Sequence, residues 1–323
     1  MVNEFGEVGL DGHLIEHASD QIVEMTSGCL CCTIRGDIRQ TLLMLYSRQD
    51  QGEIPAFSRL VVESTGLADP APVIHTLMSD PRLDRRYMLG GVVTTVDAVN
   101  GEATLDAHPE CQKQVAVADR LVITKTDLVN DPFSAKDVDA LKAKLRALNP
   151  GAPTFERHDP KFDLNRLFDT SLYNPRTKTM DVRTWLNAEA ENDGGDHHHD
   201  HGHHHHGQDP HDVTRHGTDI RSFTLTFDEP VPIDTFGSAL EALTLTQGAN
   251  LLRLKGIVNT TDRPGRPLVI HGVQHVFHDP VWLDAWPDTD EKTRLVFITH
   301  GIERKTLEDF FEAWIASAKG DWR

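Results

Sequence analysis

The sequence predicts an α/β protein with a parallel sheet, followed by a smaller α+β domain. Three short apolar segments in the first half of the chain each run into a polar loop: residues 59–65, 90–98 and 119–127. Segments of helical character surround and separate them, at residues 39–47, 72–79, 110–118 and 135–148. Buried strands that alternate with helices are typical of a parallel sheet. The chemistry of such a sheet is expected at the carboxyl ends of its strands.

A histidine-rich segment separates this region from the second domain. Residues 191–212, ENDGGDHHHDHGHHHHGQDPHD, contain no apolar side chain to bury, which predicts a disordered linker. After it, Phe223, Leu225 and Phe227 alternate with polar residues, as in a half-buried strand. A helix at 232–243, strands near 251–258, 267–278 and 293–299, and a helix at 305–318 complete the prediction. The expected boundaries are therefore 1–190, 191–218 and 219–323.

Composition and charge exclude several functions. The 323 residues are 38% hydrophobic and 25% charged, and the formal net charge is −18, so nucleic acids and anionic membranes would repel the chain. No apolar run approaches the roughly 18–20 residues that span a bilayer. The first residues, MVNEFGEVGL, do not resemble a secretory signal. We expect a cytoplasmic protein; its oligomeric state stays open.

Three of the four cysteines, Cys29, Cys31 and Cys32, lie together in SGCLCCTIRGD. In a reducing compartment such spacing indicates metal ligands or redox groups and not a disulfide framework. Adjacent thiolates repel one another unless a cation neutralises them, and Zn²⁺ suits sulfur ligands at about 2.3 Å. Three thiolates leave a fourth position for a carboxylate or a histidine. A closed structural zinc site and three unligated thiols are the alternatives.

Two polar loops follow predicted strands. Thr124–Asp127, TKTD, follows RLVI, and Glu63–Gly66, ESTG, follows RLVV. The first resembles the base-reading loop of P-loop GTPases, whose aspartate accepts two hydrogen bonds from guanine while the lysine stem lies against the ring. The second resembles a loop whose carboxylate serves Mg²⁺ and whose glycine N–H meets the γ-phosphate. Either loop alone is a weak signal, and the pair in this order is stronger.

Six segments occur in the order seen in CobW-type GTPases, which are similar to the nickel-handling GTPases of hydrogenase and urease maturation. They are VNEFGEVGLD (2–11), SGCLCCTIRGD (27–37), ESTGLADP (63–70), VDA (96–98), ADRLVITKTDL (118–128) and LRLKGIV (252–258). The resemblance implies a P-loop NTPase-type sheet followed by a CobW C-terminal domain. It also implies a GTP-dependent metallochaperone that delivers zinc or cobalt to a client metalloprotein or a metal-cofactor biosynthesis enzyme.

The resemblance assigns a role to each candidate site residue. It implies that Glu63 serves Mg²⁺ and Gly66 the γ-phosphate of GTP. It implies that Lys125 and Asp127, with Thr124 before them, bind guanine. It also implies that three cysteines bind the transferable Zn²⁺ or Co²⁺: Cys29, Cys31 and Cys32.

The phosphate-binding loop expected of this family does not occur in the sequence. The pattern G-x-x-x-x-G-K-[ST] should lie about 25–30 residues before NEFG, but only Met1 and Val2 precede it, and the 323 residues contain no Gly-Lys pair. Loss of the first, central strand would cost on the order of 10 kcal/mol, comparable to the stability of a whole domain, so we expect a truncated or misassigned start. GTP hydrolysis should then be impaired. The alternative is a nucleotide-silent metal-buffering protein on the same scaffold.

Other residues allow two interpretations. The histidines between residues 197 and 206 suit either metal buffering or a solvated spacer. Cys111 is expected on a helix as a buried small side chain and not as a metal ligand. Asp97 either orders the nucleotide site or caps its own loop. His271 and His275 are expected on one strand face as partly buried structural residues.

Overall fold

The computed structural model describes residues 33–66, 68–129, 132–168 and 219–318. The chain divides into two compact units, Met1–Leu89 and Gly90–Arg323, which are treated separately below. The predicted cysteine cluster, the segment VNEFGEVGLD and the histidine-rich linker lie outside the described residues. Within those residues, no helix combines the length and apolar character needed to cross a bilayer.

The first unit packs three helices around a small apolar cluster. Helix α1 spans Thr33–Asp50, α2 spans Ala71–Ser79 and α3 spans Pro81–Asp84. The side chain of Asp80 accepts a hydrogen bond from the backbone N–H of Arg82 at 2.8 Å, so it caps α3 in the usual way. The cluster consists of buried Ile38, Leu42 and Leu83, with Leu43, Leu60, Val73, Leu77 and Tyr87 against it. Helices predicted at 39–47 and 72–79 are confirmed.

The strand predicted at residues 59–65 is wrong. Glu63 forms an isolated bridge there, and the described part of this unit contains no strand. Leu60 packs against the helical cluster, and Val61 is 55% exposed. An isolated bridge is shorter than the continuous hydrogen-bond ladder that defines a strand.

The second unit begins with the predicted parallel sheet. Strand β1 spans Val93–Asp97, β2 spans Arg120–Thr124 and β3 spans Thr154–Glu156, in the order β1-β2-β3 with parallel pairing throughout. β2 is central, and four of its five residues are buried, which explains its continuous apolar character. The helices are α4, α5 and α6, at Gly101–Ala107, Pro109–Val117 and Pro132–Leu148. The α/β prediction is confirmed; helix α4 was not predicted.

The C-terminal part of this unit is an antiparallel sheet with two helices. The strands are β4 (Ile220–Phe227), β5 (Leu251–Val258), β6 (Leu268–Val273), β7 (Val276–Phe277), β8 (Val281–Trp282) and β9 (Thr293–His300). They pair in the order β4-β9-β5-β6-β7, and β8 also pairs with β6. Helix α7 spans Ile233–Gln247 and α8 spans Arg304–Ala318. Their apolar faces and one sheet face form a shared core that includes Phe297 and Phe311.

The single strand predicted at 267–278 is instead a hairpin. β6 ends at Val273, Gln274 adopts a left-handed φ of 51°, and β7 returns antiparallel to β6. His271 is buried on β6, whereas His275 is exposed in the turn, with Nδ1 3.2 Å from the carbonyl oxygen of Thr244. These two histidines therefore do not share a strand face. The sequence at residues 273–275, VQH, does not resemble the Asn-Gly or Asp-Gly pairs that predict a hairpin turn.

A buried ion pair joins the parallel sheet to the C-terminal sheet. Arg253 of β5 contacts the carboxylate of Asp119 through Nη2, and through Nη1 it donates to the carbonyl oxygen of Ala118 at 2.7 Å. The Asp119 carboxylate also accepts a hydrogen bond from the backbone N–H of Val92 at 2.8 Å. Burial lowers the pKa of nearby His271 well below its ordinary value, and the positive charge of Arg253 lowers it further. The pair thus connects the start of both β1 and β2 to β5.

Candidate functional site

The loop after β2 holds a lysine in a rarely populated backbone conformation. β2 ends at Thr124, and Lys125 follows with φ 58° and ψ 24°, directly before a 3₁₀ turn at Thr126–Leu128. A left-handed residue other than glycine costs roughly 1–2 kcal/mol. Strain of this kind persists only where surrounding contacts impose it, and it is concentrated at functional sites. The conformation places Lys125 and Asp127 on one loop at the carboxyl end of the central strand.

Asp97 supplies the contact that holds Lys125. The register pairs Asp97, the last residue of β1, with Thr124, and Nζ of Lys125 lies 2.7 Å from Oδ2 of Asp97. Oδ1 of Asp97 accepts the backbone N–H of Val99 at 2.7 Å and that of Asn100 at 3.3 Å. Asp97 therefore caps its own loop and also contacts Lys125, while a role in ordering a nucleotide site stays a prediction.

The electrostatics of Asp97 agree with this geometry. Burial by itself raises the pKa of the Asp97 carboxyl, but the hydrogen bonds from Lys125, Val99 and Asn100 outweigh burial and leave the pKa below its ordinary value. The carboxylate therefore stays ionised at neutral pH and maintains its ion pair with the ammonium group of Lys125. Held by this ion pair, Lys125 can present its aliphatic stem to a flat ligand.

Asp127 presents a carboxylate that is half-exposed. Its side chain is 53% exposed, and Oδ1 lies 3.1 Å from Nδ1 of His158, which follows the end of β3. The same nitrogen lies 3.3 Å from the hydroxyl oxygen of Thr126. A carboxylate has about four acceptor positions, so it can take part in contacts within the protein and also accept from a ligand. Sequence reasoning identified neither His158 nor the strand β3 that precedes it.

Apolar side chains accompany this polar loop. Val99 follows the Asp97 turn and is 54% exposed, and Leu128, next to Asp127, is 64% exposed. A half-exposed lysine stem and a carboxylate on the same loop provide what a planar heterocycle with adjacent N–H donors requires: apolar contact for its face and acceptors for its edge. The predicted residues Thr124, Lys125 and Asp127 are thus brought together, with Asp97 and His158 beside them.

Glu63 and Gly66 belong to the first unit and are described within it. Glu63 and Gly66 are both exposed, and a side chain added at Gly66 would meet open space. Three residues further on, Oδ1 of Asp69 accepts the backbone N–H of Ala71 at 2.9 Å, at the start of α2. A magnesium role for Glu63 and a γ-phosphate role for Gly66 stay predictions.

The metal site predicted from the sequence cannot be placed, because Cys29, Cys31 and Cys32 lie outside the described residues. Across residues 33–66, 68–129, 132–168 and 219–318, no group of three or more His, Cys, Asp or Glu side chains is arranged to hold a metal ion. Cys111 lies on α5, as predicted, and its half-buried side chain packs against the core of the parallel sheet. Burial and the charge of Glu110 raise the pKa of its thiol, which disfavours the thiolate that metals bind.

Comparison with known proteins agrees with this architecture. The family description "CobW/HypB/UreG, nucleotide-binding domain" matches residues 1–156, and "Cobalamin synthesis protein cobW C-terminal domain" matches residues 220–315. The zinc chaperone YjiA of Escherichia coli is 32% identical over 92% of this chain and 83% of its own length. The zinc chaperone CobW of Pseudomonas aeruginosa is 28% identical over 95% of this chain and 81% of its own length.

A solved structure is similar as well. The crystal structure of Zn(II)-bound YjiA GTPase from E. coli aligns with a TM-score of 0.66 and 26% identity, covering 97% of this chain and 89% of that one. The chain belongs to the CobW family, with a CobW/HypB/UreG nucleotide-binding domain followed by a CobW C-terminal domain.

Proposed function

We propose that this protein is a guanine-nucleotide-dependent zinc chaperone that passes the metal to a client metalloprotein or a metal-cofactor biosynthesis enzyme. The observation that carries the proposal is the loop Thr124–Asp127, in which a strained lysine is held by Asp97 beside an accessible carboxylate. The names of the relatives, zinc chaperone and Zn(II)-bound GTPase, support the metal and the nucleotide. Cobalt stays an alternative cargo, because the same ligands accept it.

The proposed base recognition follows from the donor pattern of guanine. Its N1–H and 2-amino groups are two donors on one edge, and the Asp127 carboxylate offers two oxygens to accept them. The stem of Lys125 covers one face of the ring, with a cation–π contribution from the ammonium group. Adenine has no such pair of donors on that edge, so the loop should discriminate against it.

The remaining assignments complete the proposal. Glu63 would serve Mg²⁺ and Gly66 the γ-phosphate, while Cys29, Cys31 and Cys32 would hold zinc with one coordination position open for transfer. The exposure of Glu63 suits a carboxylate that binds a hydrated ion. An open position would let a client ligand enter before the chaperone releases the metal.

The first test exchanges one atom of the base-reading carboxylate. Asp127→Asn should weaken GDP binding by about 100-fold, since two charge-assisted hydrogen bonds are lost, and strengthen XDP binding. Xanthine has a carbonyl where guanine has the 2-amino group, so an amide can donate to it. Calorimetric titration of the full chain with GDP, XDP and ADP measures this. Binding is the appropriate readout because the 323 residues contain no Gly-Lys pair.

Asp139→Asn is the matched control, because it removes one carboxylate charge from an 81%-exposed position on α6. This variant should bind GDP as the parent chain does. If Asp127→Asn keeps the parent preference for GDP over XDP, guanine is not read by this loop.

The second test concerns the zinc ligands. Changing Cys29, Cys31 and Cys32 together to serine should lower zinc affinity by more than about 100-fold, since replacing residues that only hydrogen-bond to metal ligands already costs 10–100-fold. Competition with a chromophoric chelator measures the affinity. Cys111→Ser is the control and should retain zinc, because that thiol is half-buried and its pKa is raised by burial. Full stoichiometric zinc in the triple variant at nanomolar free metal would contradict the assignment.

A nucleotide-silent metal buffer is the second candidate, favoured by the histidines between residues 197 and 206 and by the lack of a Gly-Lys pair. The two candidate functions differ in whether nucleotide binding changes the affinity for zinc. In the chaperone, zinc affinity should change on addition of a guanine nucleotide and should no longer respond to it in Asp127→Asn. In the buffer, neither nucleotide nor that substitution should affect zinc. A purely structural zinc site would instead show unfolding on chelation.

A further inference from the structure

We propose that Asp97 is a positioning residue for nucleobase recognition, which holds the side chain of Lys125 in place before a base binds. This inference rests on the proposed guanine specificity of the loop Thr124–Asp127. It goes beyond that proposal because Asp97 lies outside the loop, at the end of the neighbouring strand β1. Asp97 acts through Lys125 and does not itself contact the base.

Hydrogen bonds fasten the end of β1 to the end of β2. Asp97 and Thr124 form the last pair of the parallel register, and the N–H of Ala98 continues the ladder by donating to the carbonyl of Thr124 at 2.9 Å. The hydroxyl of Thr124 donates in the opposite direction, to the carbonyl of Val96 at 3.3 Å. These contacts fix Asp97 beside the residue that follows Thr124, which is Lys125.

The carboxylate of Asp97 is itself held by the turn that follows it. Oδ1 accepts the backbone N–H of Val99 at 2.7 Å and that of Asn100 at 3.3 Å, and Oδ2 accepts the side-chain amide of Asn100 at 3.3 Å. Helix α4 begins directly after this turn with Gly101, where a Cβ would lie 2.8 Å from a side-chain carbon of β1. Because the turn is fixed at both ends, the acceptor that faces Lys125 has a defined position.

Lys125 is held at both ends of its side chain. Its backbone is left-handed, with φ 58°, and among the described residues other than glycine only Gln274 also has a positive φ. The carbonyl of Lys125 accepts the N–H of Leu128 at 3.0 Å, and Nζ donates to Oδ2 of Asp97 at 2.7 Å. The stem therefore runs from the end of β2 to the end of β1, and the side chain is 55% exposed to an incoming ring.

This arrangement removes two costs from base binding. A lysine side chain loses much rotamer entropy when it is immobilised, and a left-handed backbone is unfavourable for any residue with a Cβ. Where surrounding contacts already impose both, the ligand does not have to impose them, and its affinity rises. Without the charge of Asp97 the ammonium group is released, and each binding event must order the stem again.

Two features distinguish this pair from an ordinary surface ion pair, which contributes little to stability. The side chain of Asp97 is only 23% exposed and has donors from its own turn, so one partner is already ordered. The other partner is the strained residue of the proposed base-reading loop. The pair should therefore affect base binding more than it affects the stability of the fold.

The experiment separates the charge of Asp97 from its role as a cap. Asp97→Asn keeps an oxygen that can accept the N–H of Val99, because asparagine caps turns as aspartate does, but it removes the charge that holds Lys125. Asp97→Ala removes both. Lys125→Met keeps an unbranched apolar stem without the ammonium group. Calorimetric titration of the full chain with GDP and ADP gives the affinities, and chemical denaturation followed by circular dichroism gives the free energy of unfolding.

Asp97→Asn should bind GDP about tenfold more weakly than the parent chain, which corresponds to about 1.4 kcal/mol, while its free energy of unfolding stays close to that of the parent. Asp97→Ala should bind GDP as weakly and should also be less stable, because the cap is lost. In a Lys125→Met background, Asp97→Asn should have no further effect on GDP binding, because Asp97 acts through the ammonium group. Asp139→Asn, which also removes one carboxylate charge, should bind GDP as the parent does.

The proposal is overturned if Asp97→Asn binds GDP as tightly as the parent chain, since a cap alone would explain the contacts of Asp97. It is also overturned if Asp97→Asn weakens GDP binding equally with lysine and with methionine at position 125.

Failure of the guanine assignment has a separate signature. If the parent chain does not prefer GDP over ADP, or if Asp127→Asn leaves the preference for GDP over XDP unchanged, the specificity of the loop is overturned, and the role of Asp97 in base recognition with it. If the Asp127 variant switches as expected while Asp97→Asn matches the parent, only the positioning role is overturned.

Discussion

Replacing Asp119 by alanine is expected to lower the free energy of unfolding by about 3–5 kcal/mol, because it leaves the Arg253 guanidinium buried without its carboxylate. The two side chains are 1% and 2% exposed, so water cannot replace the lost partner. The substitution also removes the acceptor of the Val92 N–H, at the entry to β1. Chemical denaturation followed by circular dichroism measures the change.

Asp228→Ala is the matched control, because Asp228 forms an exposed ion pair with Lys292 at 2.9 Å. Solvent screens that pair, so its removal should leave the free energy of unfolding nearly unchanged. If the two variants lost the same free energy of unfolding, the buried Asp119–Arg253 pair would be no more important for stability than an exposed pair. Arg253→Met combined with Asp119→Ala should cost less than the sum of the single changes, since no unpaired charge then stays buried.

Low pH should reduce the difference in the free energy of unfolding between the parent chain and Asp119→Ala. Burial by itself raises the pKa of Asp119, but Arg253, His271, Lys255 and the hydrogen bond from Val92 hold it well below its ordinary value of about 3.9. A carboxyl whose pKa is lowered on folding stabilises the protein fully above the unfolded pKa, and this is lost as pH falls through the folded pKa. The difference should therefore be constant between about pH 5 and 7 and shrink below about pH 4.

Replacing Phe311 by alanine is expected to destabilise the protein by about 3–5 kcal/mol, through lost burial and the cavity left behind. The ring is 1% exposed and lies at the centre of an aromatic cluster that joins α7 and α8 to the sheet. Ring centroids lie at 5.4 Å for Phe310, 5.9 Å for Phe227 and Phe297, and 6.2 Å for Phe236. Denaturant unfolding of the full chain gives the loss of stability.

Phe310→Ala provides the comparison for this prediction. Phe310 precedes Phe311 on α8 and is only partly buried against the same core. The same atoms are removed, but solvent and neighbouring side chains can fill the space, so the loss of stability should be clearly smaller. Similar losses at the two positions would contradict the central role of the Phe311 ring.

Much of the candidate site was predictable because its residues are local to one strand end. An apolar run followed by TKTD predicts a buried strand and an accessible polar loop, and both were found around Thr124. Asp97 was identified as a candidate, yet its contact with Lys125 depends on the register between β1 and β2. The contact of His158 with Asp127 was missed because the two residues lie 31 positions apart and are brought together by the pairing of β2 with β3.

The sequence alone determined the strands whose residues are buried almost continuously, as in β2 and β5, and the helix α6, whose apolar residues recur at helical spacing. It also determined the family, because short motifs in a fixed order need no tertiary contact to be identified. Only the tertiary structure decided that residues 59–65 form no strand, that 267–278 folds back at Gln274, and that Arg253 meets Asp119. The physical reason is that a ladder, a hairpin or a buried ion pair is stabilised by its partner, and partners far apart in the chain leave no local pattern.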